Sequence, residues 1–474
     1  MENGRKNGAP QGGSYHRYRI DARLAPDIVR WPSRFNVRVR KTGLAKLLIK
    51  EILHYGPNNK EVILSRPCMY GVFGGPVGGF APREHLCVGC LRCTTEFPEF
   101  VTVSHNPERR KLGDSFFTSN YVDALSYEVE AGLIPVRGAG YRGTFGGEGW
   151  DGMWTDMSEI VRPTRDGIHG REFISTLVDI GYKPNSLSFD ESGQPKGPAP
   201  QTFPAQLPLL FDLPPVDLPI LYQITARAAV EIDTLAFVPI RAVMDQRIDG
   251  GHIVPVLKPQ EKGLLTDLLF TPRLIEMDGW DESLFAEIRQ RYPETQIGLR
   301  IEFPTHHELR TYLEKGVHVF HLLADYHGRG RDNAFILDLI RGAHKAFVEM
   351  GIREEVTLIA SGGMIAAEHI PKAILCGLDA VAIDTPLVVA LQARFEGECR
   401  GRGSSHFALP ENLTLEWGVQ RLKNLAASWR DQLLEIMGAM GIREVRRLRG
   451  EMGRAMFMVE LEAEAFAGVD GYAR

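Results

Sequence analysis

The chain has 474 residues, of which 44% are hydrophobic and 24% are charged, and its formal net charge is -5 at pH 7. That length is enough for two or three domains with cores of their own. The slightly acidic balance gives no electrostatic footprint for nucleic acid, and no apolar run approaches the roughly 20 residues that a membrane span needs. The polar start also lacks the apolar stretch of a secretory signal. We therefore expect a globular cytoplasmic protein with no nucleic-acid partner and no membrane span.

The first 20 residues are rich in Gly, Asn and Arg, and we expect residues 1–20 to form a flexible or partner-bound arm. Residues 21–115 follow as a small module. It contains four of the six cysteines of the chain, a usage typical of a metal site in a reducing compartment and not of a disulfide framework.

Three of these cysteines, Cys87, Cys90 and Cys93, stand at two-residue intervals, which is the spacing that wraps one face of a cubane iron–sulfur cluster. A bacterial ferredoxin run would continue with a fourth cysteine before a proline, and here Phe97 precedes that proline. The best candidate for the fourth ligand is Cys68, at the edge of a glycine-rich loop. The motif predicts a [4Fe-4S] cluster. The alternatives are a four-cysteine zinc site or three free thiols. Without Cys68 the site could hold a three-iron cluster or an iron with a non-thiolate ligand.

Residues 116–216 form a connector that is rich in Gly and Pro. Its segment 137–172 is too polar to pack a core, so it is either a linker or a set of binding loops laid across the next domain. Two arginines, an aspartate and a histidine favour binding loops; these residues are Arg162, Arg165, Asp166 and His169.

Residues 217–440 alternate short apolar runs with amphipathic helical patterns. We predict strands at Pro219–Gln223, Thr234–Val238, His252–Val256, Arg273–Glu276, Ile297–Ile301, Val317–Leu323, Val356–Ala360 and Asp379–Ile383. The intervening helices are predicted at Asp281–Arg291, Thr305–Lys315, Asn333–Met350 and Ala366–Cys376, with a long final helix at Thr414–Met440. Eight such units predict an α/β fold, a (β/α)8 TIM-type barrel, preceded by a small ferredoxin-like iron–sulfur module. Residues 441–474 are expected to form a charged, partly exposed tail.

The last two loops of such a barrel often bind phosphate through backbone N–H groups and the start of a helix. Ser361, Gly362 and Gly363 fit this role, although a pair of glycines after a strand is also simply a turn. In the second loop, Asp384 and Thr385 fit less well, because Asp384 places a negative charge beside a phosphate.

Other polar side chains at predicted strand ends would point into the same mouth. They are Thr225, Arg241, Lys258, Arg300, Glu302, Asp325, Tyr326, His327 and Arg329. Among them, His327 beside Asp325 is either a general acid or base or part of a surface loop. His306 and His307 are interpreted as helix-capping and surface residues.

With a cysteine module, a Gly-rich connector and a barrel that ends in a phosphate site, the chain resembles the FMN-binding glutamate synthase-like family, in its single-chain form. Arg300 stands where that family has a strand lysine next to flavin. Ser361 to Gly363, Asp384 and Thr385 stand at its FMN phosphate loops, and Thr225 joins them as a cofactor-binding candidate.

The chain also departs from the family pattern. The family's Gly-Gly-Thr-Gly loop is replaced by the segment from His327 to Arg331, and its cysteine-rich stretch after the last strand is reduced to Cys399. No clear counterpart of its substrate loop is present, and neither is a glutamine amidotransferase domain.

The resemblance implies an iron–sulfur flavoprotein oxidoreductase that passes electrons from a [4Fe-4S] cluster to FMN and reduces an imine or 2-oxo acid derivative. Arg300, Asp325 and His327 are then the catalytic candidates, and Arg300, Arg329 or Arg241 would hold substrate carboxylates. The alternative is a non-catalytic or electron-transfer subunit of a larger redox complex that has lost FMN. In either case the absence of a nicotinamide-binding fingerprint predicts a redox partner, a ferredoxin or a flavoprotein subunit. The arm before residue 20, the connector around Gly146 and the tail beyond Arg443 could order on a partner or in an oligomer, so we expect a homo- or hetero-oligomer.

Overall fold

The computed structural model describes residues 18–59, 62–63, 68–75, 78–134, 147, 149–155, 174–196, 200–216 and 218–469. Its strands before the barrel are β1 Phe35–Val39, β2 Val101–His105, β3 Met153–Thr155, β4 Val178–Tyr182, β5 Ser188–Phe189, β6 Pro195–Lys196 and β7 Gln201–Ala205. The barrel strands are β8 Leu209–Asp212, β9 Ala236–Pro239, β10 Ile253–Leu257, β11 Leu274–Asp278, β12 Gln296–Glu302, β13 Val319–Leu323, β14 Thr357–Ser361 and β15 Ala380–Ile383. Three short strands follow, β16 Arg394–Phe395, β17 Phe407–Ala408 and β18 Ala455–Phe457.

The α-helices alternate with the barrel strands and flank them. Those of the N-terminal part are α1 Lys41–Tyr55, α2 Arg92–Glu96 and α3 Ser119–Ala131. The helices of the barrel are α4 Ile220–Glu231, α5 Ile240–Gln246, α6 Glu282–Arg291, α7 His306–Glu314, α8 Ile336–Glu349, α9 His369–Leu375 and α10 Thr385–Ala390. The C-terminal helices are α11 Leu415–Ala439, α12 Val445–Leu448 and α13 Met458–Ala465.

Strands β8 to β15 form a closed barrel in which each strand pairs in parallel with the next. The ring closes where β15 pairs with β8, with Ile383 opposite Phe211. Most barrel-strand residues are buried apolar side chains, because a parallel strand is covered on both faces. The predicted (β/α)8 barrel is confirmed.

The first barrel strand lies ten residues earlier than predicted. Pro219–Gln223 was predicted as a strand, but it lies at the start of α4, whose buried residues Leu221, Ile224 and Ala228 recur at helical spacing. The true first strand, β8, has four residues and is followed by prolines, so its sequence resembled part of the proline-rich connector. The barrel therefore begins before residue 217.

The other predicted helices of the barrel match α6, α7, α8, α9 and α11 to within a few residues. Three of them begin where a side chain caps the first turn, because Asp281, Thr305 and Thr414 each accept a hydrogen bond from a backbone N–H of that turn. The local capping signal thus predicted these helix starts.

The N-terminal module contains an antiparallel pair, β1 with β2, and a small core of its own. That core includes Val37, Phe73 and Val101 together with Cys68 and Cys93. The ferredoxin-like description of this module stays a prediction.

The chain on either side of the barrel is better packed than the sequence predicted. Most of the proposed arm lies outside the described residues, but the hydroxyl of Tyr18 donates to the carbonyl of Ile232. In the connector, α3 packs against α11, and Trp150 and Met153 are fully buried in the main core. The tail contributes β18, which pairs with β3.

The binding loops proposed within 137–172 lie for the most part outside the described residues, including Arg162, Arg165, Asp166 and His169. Across the described part of the chain, no helix is both long and apolar enough to cross a membrane.

Candidate functional site

The four candidate metal ligands line one cavity in the N-terminal module. Cys68, Cys87, Cys90 and Cys93 meet there, although Cys68 is 19 residues or more from the others in the sequence. Cys68 and Cys93 are buried, Cys87 is half-buried and Cys90 is exposed. All six cysteines lie in the described part of the chain, and no disulfide joins any two of them.

Backbone geometry around the cysteines explains how four thiols come together. Gly89 adopts φ +65°, and a Cβ atom there would lie 2.3 Å from the ring of Phe35. Only glycine permits both that conformation and that contact. The turn at Gly89 brings Cys87 and Cys90 to the same side as Cys93 at the start of α2.

Burial, and then the neighbouring thiols, raise the pKa of Cys93 to about 11. Four thiols that line one apolar cavity supply the donor set of a [4Fe-4S] cluster, and a four-cysteine zinc centre would use the same residue types. The residues present therefore fit a four-cysteine metal centre, with Cys68 in the position predicted for the fourth ligand.

A second set of buried polar groups fills the mouth of the barrel, at the C-terminal ends of the strands. Arg300 of β12 donates to Asp212 of β8 over 2.9 Å and to Glu276 of β11 over 3.1 Å. The other oxygen of Glu276 lies 2.7 Å from Nδ1 of His321, whose Nε2 lies 3.1 Å from the hydroxyl of Ser361. Side chains of five barrel strands are thus linked in one network.

Arg402, from the segment between β16 and β17, completes this network. Its Nη2 donates to Ser361 and to Asp384, over 2.8 Å in each case, and its Nη1 lies 3.4 Å from Asp212. Its Nε donates to the carbonyl of Ala324 over 2.7 Å. The guanidinium therefore lies between the ends of β8, β14 and β15.

The charges of the network set its pKa values. Burial raises the pKa of Asp212, but Arg300, His321 and Arg402 outweigh that effect and hold it at about 2. The pKa of Arg300 is raised, because its burial is outweighed by Asp212 and Glu276. For Asp384, burial is the largest effect and raises the pKa, in spite of Arg402. Three carboxyl groups and two guanidinium groups occupy the mouth.

The predicted phosphate loop is closed by the chain's own atoms. A Cβ on Gly362 would lie 2.5 Å from the carbonyl oxygen of Asp325, and one on Gly363 would lie 2.5 Å from the Cα of Gly328. The carbonyl of Gly363 accepts a hydrogen bond of 2.8 Å from the indole of Trp150. The glycines serve close packing of two loops.

Two backbone N–H groups in and beside the predicted phosphate loops have intramolecular partners. The N–H of Ile365 donates to His369, and that of Thr385 donates to the carboxylate of Asp384 over 2.6 Å. Arg402 and Asp384 therefore lie against the predicted phosphate loops, where Asp384 would place a negative charge beside a phosphate. The assignment of an FMN phosphate to Ser361, Gly362, Gly363 and Thr385 stays a prediction.

Three further predicted site residues, Thr225, Asp325 and His327, have structural roles. Thr225 was predicted at the barrel mouth, which is wrong, because it lies in α4, fully buried, and its hydroxyl donates to the carbonyl of Leu221. Asp325 accepts hydrogen bonds from the N–H groups of His327 and Arg329 and pairs with Arg400. It therefore holds its loop in shape.

His327 lies at the junction between the barrel and the N-terminal part of the chain. Its Nε2 lies 2.8 Å from the carboxylate of Asp114, and its ring stacks on Phe116. The backbone N–H of Cys399 donates to the same carboxylate of Asp114. His327 thus connects two parts of the fold, and Arg300 alone of the three catalytic candidates belongs to the network in the mouth.

Sequence reasoning missed Asp212, Glu276, His321 and Arg402. The first three are polar residues inside or at the end of otherwise apolar strands, and that interruption is a signal that could have found them. Arg402 lies in a loop, and nothing in its local sequence indicates that it reaches the mouth.

Comparison with known proteins gives the following similarities. Residues 336–443 match the model of the conserved region in glutamate synthase. An archaeal-type glutamate synthase [NADPH] of Dehalococcoides mccartyi is 23% identical over 78% of this chain and 86% of its own length. An archaeal glutamate synthase [NADPH] of Methanocaldococcus jannaschii is 38% identical over 22% of each chain.

A solved structure of mandelate oxidase covers 63% of this chain at 14% identity with a TM-score of 0.37, and at that score the likeness carries no inference about chemistry. The sequence matches confirm the predicted resemblance to the glutamate synthase-like family. They support a glutamate synthase-like oxidoreductase.

Proposed function

We propose that this glutamate synthase-like chain carries single electrons on a [4Fe-4S] cluster bound by Cys68, Cys87, Cys90 and Cys93. The observation that supports the proposal is the convergence of these four thiols on one cavity. A cubane cluster needs four thiolates, and its bound state would stabilise a module whose own core is small.

The module is connected to the barrel by polar contacts. Besides the pair of His327 with Asp114, the hydroxyl of Ser115 donates to Glu398 over 2.7 Å. These contacts would fix the cluster module against the loops that surround the barrel mouth. We infer that the two parts work as one unit in electron transfer.

The role of flavin separates two forms of the proposal. In the first, FMN in the barrel mouth collects two electrons from the cluster and reduces an imine or 2-oxo acid derivative. Its support is the family match, which spans both predicted phosphate loops. When bound, FMN would supply the hydride chemistry.

In the second form, the chain is an electron-transfer subunit of a larger redox complex and holds no flavin. Its support is the network of Arg402 with Ser361, Asp384 and Asp212, which fills the predicted phosphate end. The predicted carboxylate clamps Arg300 and Arg241 are also already paired with carboxylates of the chain. The geometry favours this second form.

Both forms need a donor, because the sequence has no nicotinamide-binding fingerprint. We propose a redox partner protein as the source of electrons. Anaerobic addition of NADPH to the isolated chain tests this requirement, since rapid bleaching of the cluster without a second protein would contradict it.

The first prediction concerns the cluster. Iron and acid-labile sulfide in the anaerobically purified chain should each be about four per chain, with a broad absorption shoulder in the visible range. Cys68→Ala should lower the iron content, because it removes one of the four thiolates. Cys376→Ala is the matched control, since Cys376 is buried in the barrel and far from the motif in sequence.

A variant Cys68→Ala that retains four irons would remove Cys68 from the site, and zinc in place of iron would overturn the cluster. The same anaerobically purified wild-type chain distinguishes the flavoprotein from the electron-transfer subunit. Resolved flavin bands, with FMN released on denaturation and identified by mass spectrometry, would support the flavoprotein. Their absence from an iron-loaded chain would support the electron-transfer subunit.

A further inference from the structure

Large apolar side chains surround the cysteine cavity on the protein surface. Met69 is 72% exposed, Tyr70 46%, Val88 41% and Leu91 50%. Tyr70, Val88 and Leu91 also line the cavity of the four cysteines, and Cys90 itself is exposed. Singly exposed apolar residues are ordinary, but three that line one cavity, with Met69 next to Tyr70 in the chain, form a patch of the kind that marks an interaction site. We name these four residues the apolar rim.

The backbone at Leu91 is held in a conformation that presents its side chain to solvent. Leu91 has φ +60°, in the left-handed region, where a bulky side chain costs about 1 kcal/mol or more. Its carbonyl accepts hydrogen bonds from the N–H groups of Thr94 and Thr95 and from both of their hydroxyls. Such strain persists where the surroundings impose it, and it clusters at functional positions.

The surface next to the apolar rim is basic. Arg83 is exposed and donates its backbone N–H to Val72, which lines the cavity, whereas Arg38 is exposed on the face of β1 opposite to Val37, which also lines it. Residues 34–50 contain six Lys or Arg and no Asp or Glu. The acidic neighbours have partners of their own, because Glu96 pairs with Arg92 and Glu84 accepts from the N–H of Val37.

We propose that the apolar rim is the docking surface of an acidic protein that carries a one-electron centre. This inference rests on the proposed cluster. One electron passes from the reduced centre of the partner, which is oxidised, to the cluster, which is reduced. A small apolar contact with a charged border suits a transient redox encounter, in which charges steer association and the apolar contact sets the final position.

Stopped-flow reduction of the anaerobic, iron-loaded chain tests the proposal, with a reduced acidic bacterial ferredoxin as the probe. Leu91→Asp and Val88→Glu each place a negative charge in the apolar rim, and Asp tolerates the left-handed backbone at position 91. We expect the second-order rate constant to fall about tenfold or more in each variant. In the wild type the rate constant should fall as ionic strength rises.

The matched control is Val348→Glu, which adds the same charge at a residue that is 52% exposed on α8, on the outside of the barrel. It should react at the wild-type rate. Iron content and the rate of reduction by dithionite are measured for every variant, so that damage to the cluster is separated from loss of docking.

Wild-type rates with ferredoxin in both rim variants would overturn the docking surface while leaving the cluster in place. The same holds for a wild-type chain that dithionite reduces and ferredoxin does not. A wild-type chain without iron would instead refute the proposed function, and the docking surface with it.

Discussion

The carboxylate of Asp384, at the end of β15, contacts two partners. One oxygen caps the N–H of Thr385, and the other pairs with Arg402. A buried carboxylate at the start of a helix, neutralised by a guanidinium from another loop, is an internal substitute for an anionic ligand. At the residue scale, we therefore expect these two side chains to affect whether the barrel mouth accepts a phosphate.

Asp384→Asn tests whether Asp384 takes the place of an anionic ligand. The amide oxygen retains the cap on Thr385, while the negative charge and the ion pair with Arg402 are lost. We predict that FMN binds at least about tenfold more tightly to this variant than to the wild type, since the phosphate would lose a repulsive neighbour and gain a cation. Flavin fluorescence quenching measures both dissociation constants.

Riboflavin, which lacks the phosphate, is the control ligand, and its affinity should differ little between the two proteins. Equal FMN affinity in Asp384→Asn and the wild type would place the phosphate elsewhere or show that Asp384 does not exclude it.

At the scale of elements, side-chain caps stabilise helices around the barrel, and they do so independently of the polar network in the barrel mouth. Helix α7 has a complete capping box, in which Thr305 accepts from the N–H of Glu308 and the carboxylate of Glu308 accepts from the N–H of Thr305. Such boxes satisfy two backbone donors at the first turn of a helix. The cap lies beside the end of β12, which carries Arg300.

Thr305→Ala should lower the free energy of unfolding by about 1 kcal/mol, the usual cost of losing a side-chain cap. Chemical denaturation with circular dichroism as the probe measures the change. Thr311→Ala is the matched control, because the hydroxyl of Thr311 only donates to the carbonyl of His307 within the same helix. Equal effects of the two substitutions would contradict a role for the cap.

At the scale of the whole molecule, a buried cluster joins α8, β15 and the C-terminal segment. Nε of Arg353 donates to Nδ1 of His344, and Nη2 of Arg353 pairs with Asp379 over 2.8 Å. Arg449 pairs with the other oxygen of Asp379 over 2.6 Å. Burial, followed by the charges of Arg353 and Arg449, lowers the pKa of His344 to about 4.

This shift predicts a pH dependence of stability. Below its ordinary pKa of 6.5, His344 takes up a proton in the unfolded chain, whereas in the folded protein it stays neutral until about pH 4. The unfolded state therefore binds more protons, and stability should fall as the pH is lowered from 6.5 towards 4. Above pH 6.5 this contribution is fully present.

Thermal unfolding between pH 7.5 and 4.5 checks the prediction. The melting temperature of the wild type should fall more steeply than that of His344→Gln, whose amide oxygen can still accept from Arg353. His318, whose pKa is also lowered by burial, adds to the slope of both proteins equally. Parallel curves for the two proteins would show that His344 does not contribute.

The sequence by itself determined those features that depend on local spacing. The interval between Cys87, Cys90 and Cys93 identified the metal motif, and the alternation of apolar runs with capped helices identified the barrel. The match to glutamate synthase covers the segment in which this alternation is clearest, from α8 to α11. Hydrophobic periodicity and helix capping are properties of residues close together in the sequence, so they can be recognised before the fold is known.

Only the tertiary structure decided which residues meet. β8, with four residues, was recognisable only from its place between β15 and β9, because its own sequence is too short and too close to prolines to signal a strand. Thr225 was misplaced for the same reason. Arg402 reaches Asp212 across 190 positions of sequence, and its guanidinium also contacts Ser361 and Asp384. Contacts between residues so far apart in the sequence depend on how the barrel closes, so no local sequence pattern predicts them.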